Sequence, residues 1–339
     1  YGGMLASWLR LKYPAAVDGA LAASAPILSF LGEHPPYDLG SFGKTVTFDA
    51  SAAGGASDAC AHRVRAAWPA LFELAQTSTG RAALTSIFRL CPKSEVRDED
   101  GAYALAFWLQ SAMDFMAMGS FPYRSSYMLN GGGELPPYPM RVMCDHVDWA
   151  LGHSKGVPGG HALLAALREG VSVFYNYTGS PAAAAGCFDL SLTGNNETTQ
   201  DGLFWDYLFC SDMLQPASRN GKSDMFWEQP WNLTSQAEGC LEHWNVQPRP
   251  MWATINYGGR RALEAASNLL FSNGELDPWK GGGVTEDVSD TVRALVIPGV
   301  GHHVDLFFAN DADTDEVRVA RRQEVATIKG WLSRSAAIS

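Results

Sequence analysis

The spacing of apolar positions changes character several times along the chain. Residues 4–13, MLASWLRLKY, place Met4, Trp8 and Leu11 on one helical face with Leu5 and Leu9 beside it, and Pro14 ends the helix. Val17 to Pro26 is small and apolar without a 3.6-residue period, as suits a buried parallel strand. The opening residues therefore read turn, helix, strand, the second half of a β-turn-α-β unit whose first strand is missing. From about residue 28 to 250 helical periods dominate, as in Arg63 to Gln76 and Tyr103 to Met118. Gly- and Pro-rich loops such as Asn130 to Pro139 separate them. After Arg249-Pro-Met-Trp252 strand-like runs return, Leu269-Leu-Phe271 and Arg293 to Ile297, and the chain closes on a helix. The pattern gives that helix a capping box at Asp313 and Glu316 and a buried stripe of Val325, Ile328, Trp331 and Leu332. The expected layout is a split α/β domain, residues 1–27 and 251–339, around a mainly helical cap at 28–250.

Composition narrows the function classes. The 339 residues suffice for one large or two ordinary domains. A formal charge of −11 leaves no basic face to neutralise phosphates, which argues against a nucleic-acid partner. No apolar run approaches the roughly 20 residues needed to span a bilayer. Six dispersed cysteines, Cys60, Cys91, Cys144, Cys187, Cys210 and Cys240, include no CxxC, which disfavours a zinc ribbon or a thioredoxin-type site. An even number fits three disulfides, and spacing alone does not choose among the possible pairings. Sequons at Asn176, Asn196 and Asn232 add to this, and together they favour the secretory route.

The candidate chemistry sits after the two late strands. Asp277 follows the first and precedes Gly281-Gly282-Gly283; His302 and His303 follow the second, after Gly299 and Gly301. An Asp before Pro is ordinarily a turn residue. However, an Asp and then a His delivered by successive strands are the last two members of an α/β-hydrolase triad. There the Asp holds the imidazole tautomer and the His takes the nucleophile's proton. His302-His303-x-Asp305 as a metal site is the weaker reading, since no further ligands are spaced to complete it. The one G-x-S-x-G, around Ser154, has the right chain order but lacks an apolar strand before it and a helix after it, and reads as a loop. The amino terminus fits an elbow better. With Gly2 as its last glycine and Tyr1 as the variable residue, the nucleophilic Ser is expected just before Tyr1.

Tyr1-Gly-Gly-Met-Leu-Ala, Leu21-Ala-Ala-Ser-Ala-Pro26, Asp224-Met-Phe226, Trp244 with Arg249-Pro250, Phe271 to Trp279 and Gly301-His-His-Val-Asp-Leu306 carry a resemblance. The chain is similar to the lysosomal Pro-X carboxypeptidase and dipeptidyl-peptidase II family of serine exopeptidases. The likeness runs from residue 1 to about 335 and leans towards the carboxypeptidase branch. It implies an α/β-hydrolase fold with a helical cap, Asp277 as triad acid, His302 as base and the Tyr1 backbone N–H as an oxyanion donor. It also implies disulfides Cys60–Cys144, Cys91–Cys187 and Cys210–Cys240, a fourth family pair being absent through both partners. Met4 and Trp279 match positions of an apolar proline pocket. Two departures stand out. Gln215 replaces an apolar wall residue, and Phe307 stands where the family has an Arg.

The resemblance implies short proline-containing peptides as substrates, no metal or organic cofactor, and a lysosomal, vacuolar or secreted location. It leaves a homodimer open. Without the Ser, the 339 residues alone are expected to be inactive and poorly soluble. Dipeptidyl-peptidase II-like aminopeptidase action and a non-catalytic, peptide-binding relative are the alternatives.

Overall fold

Three parallel strands lie side by side in the order β1 (Ala20–Ala23), β2 (Leu269–Gly274), β3 (Val292–Ile297) in this computed structural model, which describes residues 1–152, 158–192 and 200–336. Ala20 pairs with Leu269 and Leu269 with Val292, so the strands run in step and end at one edge. All six residues of β2 are buried, as a central parallel strand covered on both faces requires. By internal contacts the chain falls into two compact units. One comprises Tyr1–Phe42, Leu203–Ser218 and Pro230–Ser339, the other Gly43–Gly202 and Arg219–Gln229.

In the first unit, the helix Gly2–Lys12 packs on the sheet through Met4 and Trp8, which join Ala22, Ile27, Phe30, Leu269 and Phe271 in the core. The Trp8 ring stacks on Tyr257 at 4.0 Å between centroids. Leu5 and Leu9 are exposed, contrary to the expected face. Ser7 and Arg10 turn inward instead, because each finds polar partners there. The Ser7 hydroxyl donates to Met4 O at 2.9 Å. The Arg10 guanidinium donates to Pro14 O, Val17 O, Ser267 O and Ser267 Oγ, tying the connections ahead of β1 and β2.

The last helix, Asp315–Ala336, corrects the sequence reading in two ways. Thr314, not Asp313, accepts from the first turn, its hydroxyl receiving Val317 N at 3.4 Å. The buried stripe is Val317, Ala320, Glu324 and Trp331, while Val325, Ile328 and Leu332 are exposed. The spacing is helical in both versions. A carboxyl group holds one of the inward positions, so the apolar residues that remain mark a rotated face.

The second unit is built from the helices Cys60–Ala75, Ser78–Ile87, Glu99–Met118, Pro139–Leu151 and Gly160–Tyr175. Trp68, Leu71, Leu84, Leu105, Leu109 and Met113 are fully buried, each such side chain contributing on the order of 2 kcal/mol. Thr77 and Asp98 cap two of these helices through Gly80 N and Gly101 N. Cys60–Cys144 and Cys91–Cys187 cross-link this unit, and Cys210–Cys240 links two segments of the first. Asp224, singled out by its motif, is a turn residue, its carboxylate accepting from Asn220 N, Gly221 N and Phe226 N.

Candidate active site

The carboxyl ends of β1, β2 and β3 deliver Ser24, Asp277 and His302 to one edge, the place where an open parallel sheet presents its chemistry. Two glycines allow the close approach. A Cβ at Gly274 would lie 2.2 Å from Gly301 O, so the end of β2 meets the histidine loop backbone to backbone. A Cβ at Gly3 would lie 2.3 Å from Ala23 O, and this lets the first helix start against the end of β1. Leu276 N donates to Val300 O and Gly299 N to the Glu275 carboxylate, zipping the Asp and His loops together. The triple glycine is used in the same way, Gly282 and Gly283 closing onto Ser29 and Asn273.

Within this frame His302 Nδ1 lies 3.0 Å from Asp277 Oδ2. Asp277 is fully buried, and its other oxygen accepts from Trp279 N at 3.1 Å. Burial pushes its carboxyl up. The charge and hydrogen bond of His302, the Ser24 hydroxyl and the Trp279 N–H outweigh this and hold it below the ordinary carboxylate range. The His302 side chain keeps 15% of its surface exposed, so the couple is open on the imidazole side and closed on the carboxylate side.

Ser24 lies in the Leu21–Pro26 motif that carries the resemblance, but the sequence assigns it no role beyond its place at the end of a strand. It is buried in the left-handed region at φ 48°. Its hydroxyl interacts with Asp277 and accepts from His303 N at 2.9 Å, and its N–H donates to Ser272 O at 2.7 Å. His303 is also left-handed, at φ 38°. Burial, then the charge of His302, pushes it down to about 4, so its ring is neutral near pH 7. Phe307 meets the His303 ring edge to face at 5.4 Å.

Tyr1, at the start of the first helix, lies at this same edge, where Gly3 meets the end of β1. Trp279 is packed edge to face on Phe42 at 5.0 Å. Gln215 Nε2 donates to Ser29 Oγ at 2.6 Å, and Ser29 Oγ donates to Pro26 O. Met4 lies in the core with 1% of its surface exposed. Among the described residues no group of three or more His, Cys, Asp or Glu is arranged to hold a metal ion, and no helix is long and apolar enough to cross a membrane. Asn176 and Asn232 are exposed, whereas Ser154 and Asn196 lie outside the described residues.

A model of the serine carboxypeptidase S28 family matches residues 1–324, and the chain belongs to that family. Its parallel sheet with covering helices is α/β-hydrolase-like. It is 37% identical over 334 residues to a lysosomal Pro-X carboxypeptidase of Bos taurus and 36% identical over 332 residues to that of Homo sapiens. Each alignment covers 98% of this chain and 62% of the relative, so the chain spans less than two thirds of their length. A thymus-specific serine protease of Mus musculus is 23% identical over 344 residues, covering 98% of this chain and 63% of that protein.

Proposed function

We propose that the chain carries the acid and base of a serine exopeptidase that cleaves short peptides beside proline. The reading rests most on one observation. The Asp277–His302 couple and the start of the first helix share one carboxyl edge of the sheet, Gly3 lying against the end of β1, so a residue preceding Tyr1 falls at the edge that carries the couple. A Ser at that position is the nucleophile. Asp277 fixes Nδ1 of His302 and leaves Nε2 to take the serine proton as Oγ attacks the carbonyl carbon. The Tyr1 backbone N–H stabilises the oxyanion. Nε2 then returns the proton to the leaving amine, an acyl-enzyme forms, and water releases the acid by the same steps.

Trp279 is assigned to the wall of the proline slot, with Gln215 and Met4 as the remaining matched positions; a pyrrolidine ring lies well on aromatic surface and brings no amide N–H. The names of the mammalian relatives favour carboxypeptidase over dipeptidyl-peptidase action. Three disulfides, exposed sequon asparagines and the lysosomal relatives support a lysosomal or secreted location.

The test is expression from the complete coding sequence, with assays on matched peptides bearing proline at the penultimate position from either end. Hydrolysis that releases the carboxyl-terminal residue, abolished by His302→Ala and missing from the 339 residues alone, is the expected result. Release of amino-terminal dipeptides supports the dipeptidyl-peptidase alternative. A residue other than Ser before Tyr1, with peptide binding but no turnover, supports the non-catalytic one.

A further inference from the structure

Behind the His302–His303 turn lies a pair of carboxyl groups that the proposed acid–base chemistry does not use. Asp305, in the turn Val304–Leu306, is 4% exposed, and Glu324, facing it from the last helix, is 5% exposed. The last helix packs on that turn, and Glu324 stands within hydrogen-bonding reach of Asp305. Two ionised carboxylates cannot bond to each other, so the pair is satisfied only when one of them carries a proton.

The surroundings place it on Glu324. Asp305 Oδ2 already accepts from Ser272 Oγ at 2.6 Å. Among the described residues Glu324 Oε1 is buried without a hydrogen-bond partner, which suits the carbonyl oxygen of a neutral acid and would be costly for a carboxylate. The charged groups facing Glu324 are Asp305 and, from its own helix, Arg321. Arg321 is already engaged, donating to Asp305 O, Val304 O and the Asp313 carboxylate. Burial, then Asp305, pushes Glu324 up to about 8, with Arg321 opposing.

We infer that Glu324 is a positioning residue for His302. As the neutral acid of its pair with Asp305, it fixes the turn that follows the histidines and so holds His302 against Asp277. Asp305 is held from three directions: by Ser272 of β2, by the Arg321 bonds to its backbone, and by the Glu324 proton. Once Glu324 ionises, the third hold becomes repulsion between two buried like charges. The turn then loosens directly beside the base. The inference rests on the reading of His302 as that base, but its test does not need turnover.

The protein expressed from its complete coding sequence is compared with its Glu324→Gln, Glu324→Ala and Asp305→Asn variants by proton NMR and by kinetics. The reporter is the downfield His302 Nδ1–H resonance, assigned by its loss in Asp277→Asn. In the wild type it is expected to fade as pH rises through about 8. It should persist to higher pH in Glu324→Gln and be weak throughout in Glu324→Ala. In Asp305→Asn the transition should move to lower pH, since the charge that raises Glu324 is gone. The same transition should lower kcat by about tenfold with KM little changed, as expected when a catalytic group is displaced by a fraction of an ångström. If the resonance responds to pH alike in the wild type and Glu324→Gln, the inference is overturned, even where the Ala variant melts earlier. If it behaves as described in a protein without peptidase turnover, the inference stands and the peptidase reading falls.

Discussion

The Ser24 hydroxyl accepts the His303 backbone N–H at 2.9 Å, which fastens the end of β1 to the loop carrying the proposed base. The same hydroxyl bonds Asp277, so one side chain joins three loops. Ser24→Ala should leave the partly buried His303 N–H without its partner and cost about 1–2 kcal/mol of stability. Ser24→Gly loses the same bonds but relieves the left-handed backbone at φ 48°, and should be more stable than the Ala variant by about 1 kcal/mol. Denaturant unfolding of the pair separates the hydroxyl from the strain. Kinetics should show a fall in kcat common to both.

The pH dependence of stability follows from two acids shifted in opposite directions. Asp277 is depressed from an ordinary 3.8, so its contribution is present above that value and is lost as pH falls through the folded value below it. Glu324 is raised from 4.5 to about 8, so its contribution is full below 4.5, declines as pH rises, and is gone above about 8. Denaturation midpoints measured across pH should therefore peak at mildly acidic pH. Glu324→Gln should flatten the alkaline side alone. Asp277→Asn should flatten the acid side and, as the proposed triad acid replaced by an amide, lower kcat by about 10⁴.

Arg10 is predicted to be a structural clamp whose loss is felt through the sheet. Arg10→Ala removes the donors to Pro14 O, Val17 O and Ser267 and should destabilise the protein by about 3 kcal/mol. Arg10→Lys should recover only part of that, since one ammonium cannot span acceptors on two connections. Thermal unfolding of both variants checks the order.

Gln215→Met should sharpen the preference for proline. It removes the polar group now bound to Ser29 and would give the proposed slot an apolar wall. The ratio of kcat/KM for Pro-containing over Ala-containing peptides should rise by roughly tenfold, the usual range for one apolar contact in a specificity pocket. An unchanged ratio would separate Gln215 from the substrate slot.

Much of this architecture is legible in the sequence. Leu269 to Phe271 and Arg293 to Ile297 stand out as apolar runs and form β2 and β3. Asp277, His302 and the glycines around them stand out because each strand stops in a loop that supplies a polar group. Ser24 does not, since a serine within a stretch of alanines looks like one more small residue, and its partners lie some 250 or more positions away. Arg10 resembles an ordinary last-turn cation, although its acceptors are carbonyls of two separate connections. Glu324 misleads in a third way. Counted as a surface acid, it shifts the inferred buried face of the last helix onto Val325, Ile328 and Leu332. A carboxyl that is neutral in the fold breaks the rule that apolar periodicity marks the inside.

The disulfides have a topological consequence. The rings closed by Cys60–Cys144 and Cys91–Cys187 overlap, so every peptide bond from Cys60 to Cys187 lies within at least one of them. A single backbone cut anywhere in that interval opens a ring and releases no fragment. Cys210–Cys240 does the same for the stretch it spans. In a compartment full of endoproteases a nicked molecule would still migrate as one piece until reduced, its length of chain behaving there as a mesh rather than a string.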